Sequence, residues 1–183
     1  MNLVTPRLIL RDLRPEDAAP LARMWSDPLV TLKLGGSRNE AEVRASLEAD
    51  AAVTPKPALD LWPVVEKASG EVVGHCGLLE KEVDGQPAVE LVCVFMRKVW
   101  GMGYASEAAR AVVDHAFNVL GLKRIVALIE PGNDASVRVV MNVGMHFEKN
   151  TLRPGERLVW MYSAGCPEKL PQNGHAGPVV ARN

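Results

Sequence analysis

The chain has 183 residues, 48% hydrophobic and 23% charged, with a formal net charge of −1. Such a length and balance suit one globular domain with a substantial core, and the near-zero charge gives no overall field to draw the chain to nucleic acid or a membrane. Cys76, Cys93 and Cys166 lack Cys-x-x-Cys spacing, no long apolar core follows Met1, and no run reaches membrane-spanning length, so free thiols and a cytoplasmic location are expected.

In chain order, residues 8–10 read as a first strand. Arg14-Pro15-Glu16-Asp17 starts a helix running to about Ser26, with proline near its first turn, and Asp27-Pro28 ends it. Residues 39–53 form a second helical stretch with apolar Ala41, Val43, Ala45 and Leu47, closed by Thr54-Pro55-Lys56-Pro57. Strands follow at 61–66 and 72–79, joined by Ser69-Gly70, and the Asp84-Gly85 turn leads to a strand at 88–96. Ala105, Ala108, Ala109, Val112, Val113, Ala116, Phe117 and Leu120 keep helical spacing, with Gly121 placed as a C-cap. Residues 124–129 are an apolar, β-branched strand, 134–143 a short helix ending at Gly144, and 145–152 with 157–163 a hairpin around Pro154-Gly155.

This order predicts an α/β (α+β) domain with one mixed sheet and helices on both faces. The domain is expected to span residues 1–164. From 165 to 183 the composition turns to Gly, Pro, Gln, Asn and Ala with little to bury, which predicts a disordered tail.

The most informative stretch is Trp100-Gly101-Met102-Gly103-Tyr104-Ala105-Ser106-Glu107-Ala108, which sets two glycines between an apolar strand and an alanine-rich helix. Glycine lets a ligand approach the main chain, and the unpaired amides that open the helix face an anion. A dinucleotide fold would want a third glycine at Ser106, and a P-loop would want Gly-Lys-Ser or Gly-Lys-Thr; both are absent. Glycine pairs also simply end strands and cap turns.

Several further motifs occur with it: Thr5-Pro6-Arg7-Leu8-Ile9-Leu10-Arg11, Val89-Glu90-Leu91, and Asn133-Asp134-Ala135-Ser136 followed by Gly144-Met145. In this order the chain resembles the GNAT superfamily of acetyl-coenzyme A-dependent N-acetyltransferases over residues 5–163. The branch it looks most like acetylates the N-terminal amines of ribosomal proteins. The resemblance implies the GNAT fold, with the strand at 88–96 splayed from that at 124–129 and the pantetheine arm of acetyl-CoA in the opening. It places the backbone of Cys93, Val94 and Phe95 along pantetheine, and the turn comprising Lys98, Gly101, Met102, Gly103, Tyr104 and Ala105 around the pyrophosphate. Lys98 reads equally well as a solvated loop lysine.

Asn133 reads from the residues as a helix N-cap, and the resemblance adds a contact to the cofactor arm. Ser136 matches a serine near the thioester sulfur that protonates the leaving thiolate; a plain helix-surface hydroxyl is the other reading. The tyrosine that many relatives use as acid would fall at Val140, so the identity of the acid stays open. Glu90, on a central strand between Val89 and Leu91, is the candidate general base, directly or through a water; an edge-facing or salt-bridged glutamate is its alternative. Glu107 reads as a structural acid at the helix N-terminus, and Trp25 as a core tryptophan or an acceptor contact.

His75, His115, His146 and His175 show no metal-ligand spacing, so no metal is expected. The resemblance implies a primary-amine acceptor, either a protein N-terminus or a small molecule. A non-catalytic acyl-CoA-binding module and an unrelated phosphate-binding domain are the competing readings, and the last hairpin could support a homodimer. Val92-Cys93, Asn142 and Gly144-Met145 depart from the family's usual residues, which loosens the tie to ribosomal-protein substrates.

Overall fold

The computed structural model describes residues 1–166. Its elements are β1 (Asn2–Val4), β2 (Leu8–Arg11), α1 (Ala18–Ser26), α2 (Pro28–Thr31), α3 (Glu40–Ala52), β3 (Leu61–Glu66), β4 (Val72–Val83), β5 (Gln86–Phe95), α4 (Tyr104–Asn118), β6 (Arg124–Ile129), α5 (Asp134–Asn142), β7 (His146–Arg153) and β8 (Arg157–Gly165). The strands form one eight-stranded sheet in the order β1-β2-β3-β4-β5-β6-β8-β7. Neighbouring strands are antiparallel except β5 and β6, which are parallel.

Alternation along the strands sorts the apolar side chains to two faces. On one, Leu8, Leu10, Trp62, Val64, Cys76, Leu78 and Leu91 meet the stripe Ala108, Ala109, Val112 and Ala116 of α4. On the other, Val94 and half-buried Leu61, Val72 and Val92 meet Leu21, Met24 and Trp25 of α1 and Leu47 of α3. Each fully buried Leu or Val contributes roughly 1.5–3 kcal/mol relative to exposure, so both helical layers are needed to hold the sheet.

Two short elements escape the sequence reading. The three residues of β1 form a hairpin with β2, pairing Leu3 with Leu10 across the Thr5-Pro6 turn. Asp27-Pro28 both ends α1 and starts α2: the Asp27 carboxylate accepts the Leu29 amide at 2.9 Å and proline takes the first helical position. In α3 the packed residues are Val43, Leu47 and Ala51, one helical turn apart, whereas Ala41 and Ala45 are exposed. Spacing of four, not two, carries a helix face.

The 72–79 strand continues to Val83, because β4 and β5 remain paired past the core up to the turn at Asp84 and Gly85. The start of the first helix is a 3-10 turn at Pro15–Asp17. There Asp17 is buried and takes two bonds from the Arg11 guanidinium, at 2.6 and 2.8 Å, fastening α1 to β2. At the C-terminal end, β8 includes Gly165, and the Cys166 amide donates to the Lys123 carbonyl at 2.9 Å. These two residues, assigned to a tail from composition, therefore belong to the domain; residues 167–183 lie outside the described residues.

His75 is enclosed between β4, β3 and α1. Trp25 Nε1 donates to His75 Nδ1 at 3.3 Å, so the ring proton sits on Nε2 and is donated to the Leu61 carbonyl at 2.8 Å. Burial pushes this imidazole down to about 4; the Leu61 carbonyl and Asp17 oppose the shift and Arg38 adds to it. The unfolded chain takes up a proton near pH 6.5 that the folded protein refuses. Stability is therefore full above that pH and falls as the pH drops towards about 4, losing about 2 kcal/mol by pH 5. Urea unfolding at pH 7 and pH 5 is expected to show this loss in the wild type and not in His75→Gln.

Candidate active site

Between β5 and β6 the sheet opens. These strands share one paired position, Glu90 with Val126, and beyond it residues 91–95 of β5 pair only with β4. A cavity of about 980 Å³ fills the opening, with Cys93, Val94 and Phe95 on one wall and Ala127, Leu128 and Ile129 on the other. The glycine turn and first turn of α4 line one end, α5 contributes Asn133 and Ser136, and the segment from Trp25 to Arg38 and the β7–β8 turn complete the rim.

The glycine turn leaves backbone amides uncovered. Gly101 and Gly103 have φ of 78° and 79°, a left-handed conformation that other residues enter at a cost. Gly103 is the N-cap of α4 and offers no side chain, so no cap side chain occupies the helix's opening amides. Trp100 supports the turn, its indole nitrogen donating to the Phe95 carbonyl at 2.8 Å.

Behind the turn, Glu107 does not cap the helix but reaches a distant segment. Its carboxylate accepts the Thr5 hydroxyl at 2.6 Å, the Arg7 amide at 2.8 Å and Arg7 Nε at 2.7 Å, while Arg7 Nη1 donates to the Met102 carbonyl at 2.8 Å. Burial alone would raise the Glu107 carboxyl, but the bonds from Thr5 and Arg7 prevail and hold it below the usual range. The Thr5-Pro6-Arg7 motif thus acts as a clamp on the glycine turn, a role no local pattern discloses.

Glu90 lies at the closed end of the fork and is 3% exposed. Arg153, from the end of β7, forms an ion pair with it and donates to the Leu128 carbonyl at 3.2 Å. Burial raises the Glu90 carboxyl above its usual value, opposed by Arg153, Lys81 and the Leu128 amide. Glu90 is therefore salt-bridged and also poised to hold a proton more readily than an exposed glutamate. Arg153 is the residue the sequence reading missed: it sits sixty-three positions from Glu90, beside a Pro-Gly turn that shows only a hairpin.

The structure brings Glu90, Cys93, Val94, Phe95, Gly101, Gly103, Tyr104, Ala105, Asn133 and Ser136 to one cavity. Lys98 and Met102 are not on its lining. The Lys98 ammonium is paired with the Glu71 carboxylate, and the Met102 side chain is exposed. Asn133 is the N-cap of α5, its Oδ1 accepting the Ser136 amide at 3.2 Å, and Val140 stands buried on the same helix. Trp25 is both a core residue and part of the cavity rim. Cys93 faces Cys76 across β4 and β5 with the sulfurs 2.8 Å apart. Among the described residues no group of His, Cys, Asp and Glu is placed to hold a metal ion, and no helix is long and apolar enough to cross a membrane.

The sequence profile of the acetyltransferase (GNAT) domain matches residues 7–146. The chain belongs to the GNAT acetyltransferases. It is 35% identical over 162 residues to the Bacillus subtilis protein YkkB, covering 88% of this chain and 94% of YkkB. A GNAT-family acetyltransferase from Bacillus anthracis superposes with a TM-score of 0.76 at 26% identity, covering 90% of this chain and 98% of that one. The ribosomal-protein-S5-alanine acetyltransferase from Vibrio fischeri shares the fold, with a TM-score of 0.72 at 16% identity, covering 93% of this chain and 100% of its own. GNAT acetyltransferases take their acetyl group from acetyl-CoA. The donor groups of this acetyltransferase suit that molecule: uncapped helix amides for a pyrophosphate, and an open strand edge for an amide-bearing arm.

Proposed function

We propose that this acetyltransferase acetylates an α-amine, in the first place the N-terminus of a polypeptide, with Glu90 as general base. The observation that supports it is the buried Glu90 carboxylate at the head of the cavity, raised by burial towards the pH where a base works best. Bound acetyl-CoA supplies the electrophilic thioester. Glu90 takes the proton from the attacking nitrogen, directly or through a water. The Ser136 hydroxyl, on the cavity wall in the first turn of α5, donates towards the sulfur as it leaves. The backbone of Cys93, Val94 and Phe95 holds the arm, and Gly101, Gly103, Tyr104 and Ala105 surround the phosphates, with Asn133 at the arm's far side. Lys98 and the Met102 side chain are left out of this assignment because they stand off the lining.

The preference for an α-amine follows from protonation. An α-amine with pKa near ~8 is free in about one molecule in ten at neutral pH, whereas a lysine amine near ~10.4 is free in roughly one in a few thousand. Among the described residues on the lining, the only other acid is Glu130, which Arg157 engages at 3.4 Å. One base has to serve, so the acceptor that arrives partly deprotonated is favoured. Peptides with a free N-terminus are expected to show kcat/KM about a hundredfold above N-terminally blocked lysine peptides of the same sequence at pH 7, with the gap narrowing towards pH 9. Equal rates, or a reversed order, would reject the assignment.

A further inference from the structure

The lining of the cavity carries more positive than negative charge, Lys33, Arg38, Lys81, Arg138, Arg153 and Arg157 against two acids. Its acids are Glu90 and Glu130, and each already has an arginine: Arg153 on the first, Arg157 on the second. Arg38 and Lys81 also line it, and neither forms an ion pair among the described residues. Asp50 and Asp60 lie with Arg38 around the smaller neighbouring cavity, yet neither is bonded to it.

Arg38 is held in place although no carboxylate among the described residues pairs with it. Its amide donates to the Trp25 carbonyl at 3.3 Å, and its guanidinium lies 4.1 Å from the centre of the Trp25 ring. Trp25 is itself fixed by the hydrogen bond to His75 and is 5% exposed, so the guanidinium rests on a rigid plate. Burial lowers the Arg38 pKa, and no neighbouring acid acts against it. The facing His75 is neutral above about pH 4 and so does not repel the guanidinium.

Lys81 approaches from the sheet. Strand register sets Leu79 opposite Glu90, so Lys81, two residues on, shares their face and is the diagonal neighbour of Glu90. Its charge is felt by the Glu90 carboxyl. The cavity that holds the candidate base thus also presents two cations, Lys81 beside Glu90 and Arg38 elsewhere on its wall, that form no ion pair among the described residues.

We propose that Arg38, seated on Trp25, and Lys81 bind an anionic group of the acceptor, so that the preferred amine carries a carboxylate a few bonds from its nitrogen. The inference rests on the reading of this cavity as the acetyl-transfer site. Two sources supply that chemistry: an acidic side chain beside the N-terminus of a peptide, or the α-carboxylate of a free amino acid. Polyamines and other polycations are disfavoured, since their ammonium groups meet like charge. The same field weakens proton binding by the incoming amine, which works with Glu90.

Thiol release from acetyl-CoA tests this with matched acceptors. These are peptides with Glu or Gln at the second position, a free amino acid and its amide, and spermidine, each with the wild type, Arg38→Gln and Arg38→Lys. The anionic member of a pair is expected to lead by about 10–100-fold in kcat/KM, mainly through KM. The pair that shows the gap identifies the source. Arg38→Gln is expected to remove most of that preference and Arg38→Lys to keep part of it, with acetyl-CoA affinity measured by calorimetry unchanged. Equal rates within both pairs, a preference that survives Arg38→Gln, or spermidine as the best acceptor would overturn the proposal. Loss of acetyl-CoA binding in Arg38→Gln would also overturn it, placing Arg38 at the donor instead. No thiol release with any acceptor in the wild type would overturn the transfer reading itself, and this inference with it.

Discussion

Glu90→Gln is expected to lower kcat by about 10²–10⁴-fold while leaving acetyl-CoA affinity near the wild-type value, the signature of a lost proton acceptor. The geometry supports this separation of effects. Glu90 sits where β5 and β6 last touch, whereas the open strand edge and the glycine turn lie further along β5 and beyond it. Burial raises the Glu90 carboxyl, so the acid limb of the wild-type kcat/KM profile should fall above the ordinary glutamate range. The limb should disappear in the variant, which has no carboxyl to titrate. Glutamine keeps the shape and still accepts a bond from Arg153, so circular dichroism is expected to show an intact fold. A wild-type rate would restrict Glu90 to holding Arg153 and the fork.

Gly103→Glu is expected to abolish acetyl-CoA binding. At φ of 79° any side chain strains the turn, and a Cβ at this position would lie 3.5 Å from Arg7 Nη2. The new carboxylate would have Arg7 within reach and would stand beside the helix amides, in the place argued for the pyrophosphate. Titration calorimetry should record no saturable heat at concentrations that fill the wild type. Gly103→Ala separates strain from charge, because it carries the first without the second and should bind weakly rather than not at all. Undiminished binding by the glutamate variant would remove the turn from the phosphate site.

What the sequence disclosed about this fold was local. Strands at 61–66 and 124–129 match β3 and β6 to the residue, since turn residues or prolines bracket each run. The glycine turn and the Asn133 cap were legible for the same reason: their partners lie within a few positions. The helix at 39–53 was placed correctly, but its buried face was not, because alanines dilute the four-residue period of Val43, Leu47 and Ala51. The Arg7–Glu107 clamp spans one hundred positions and the Glu90–Arg153 pair sixty-three. Such contacts exist only after the sheet has brought β2 to α4 and β7 to the fork. Lys98 shows the converse: a motif position suggested a phosphate contact, while the structure pairs its ammonium with a loop carboxylate, Glu71, that no local pattern pointed to.

The lone rung between β5 and β6 divides the sheet into a five-stranded part and a three-stranded part. The shared core and the Glu90–Arg153 pair hold the two parts together across the opening, and a donor molecule lying there would add bonds where the strands themselves do not pair. Any ligand held only by the folded state deepens that state, by about 2.7 kcal/mol at a hundred times its Kd. If the donor binds there as proposed, the enzyme's resistance to unfolding and proteolysis is expected to rise with the coenzyme around it. Emptied of coenzyme, acetylated or not, such a fold would lose a strut as well as a substrate.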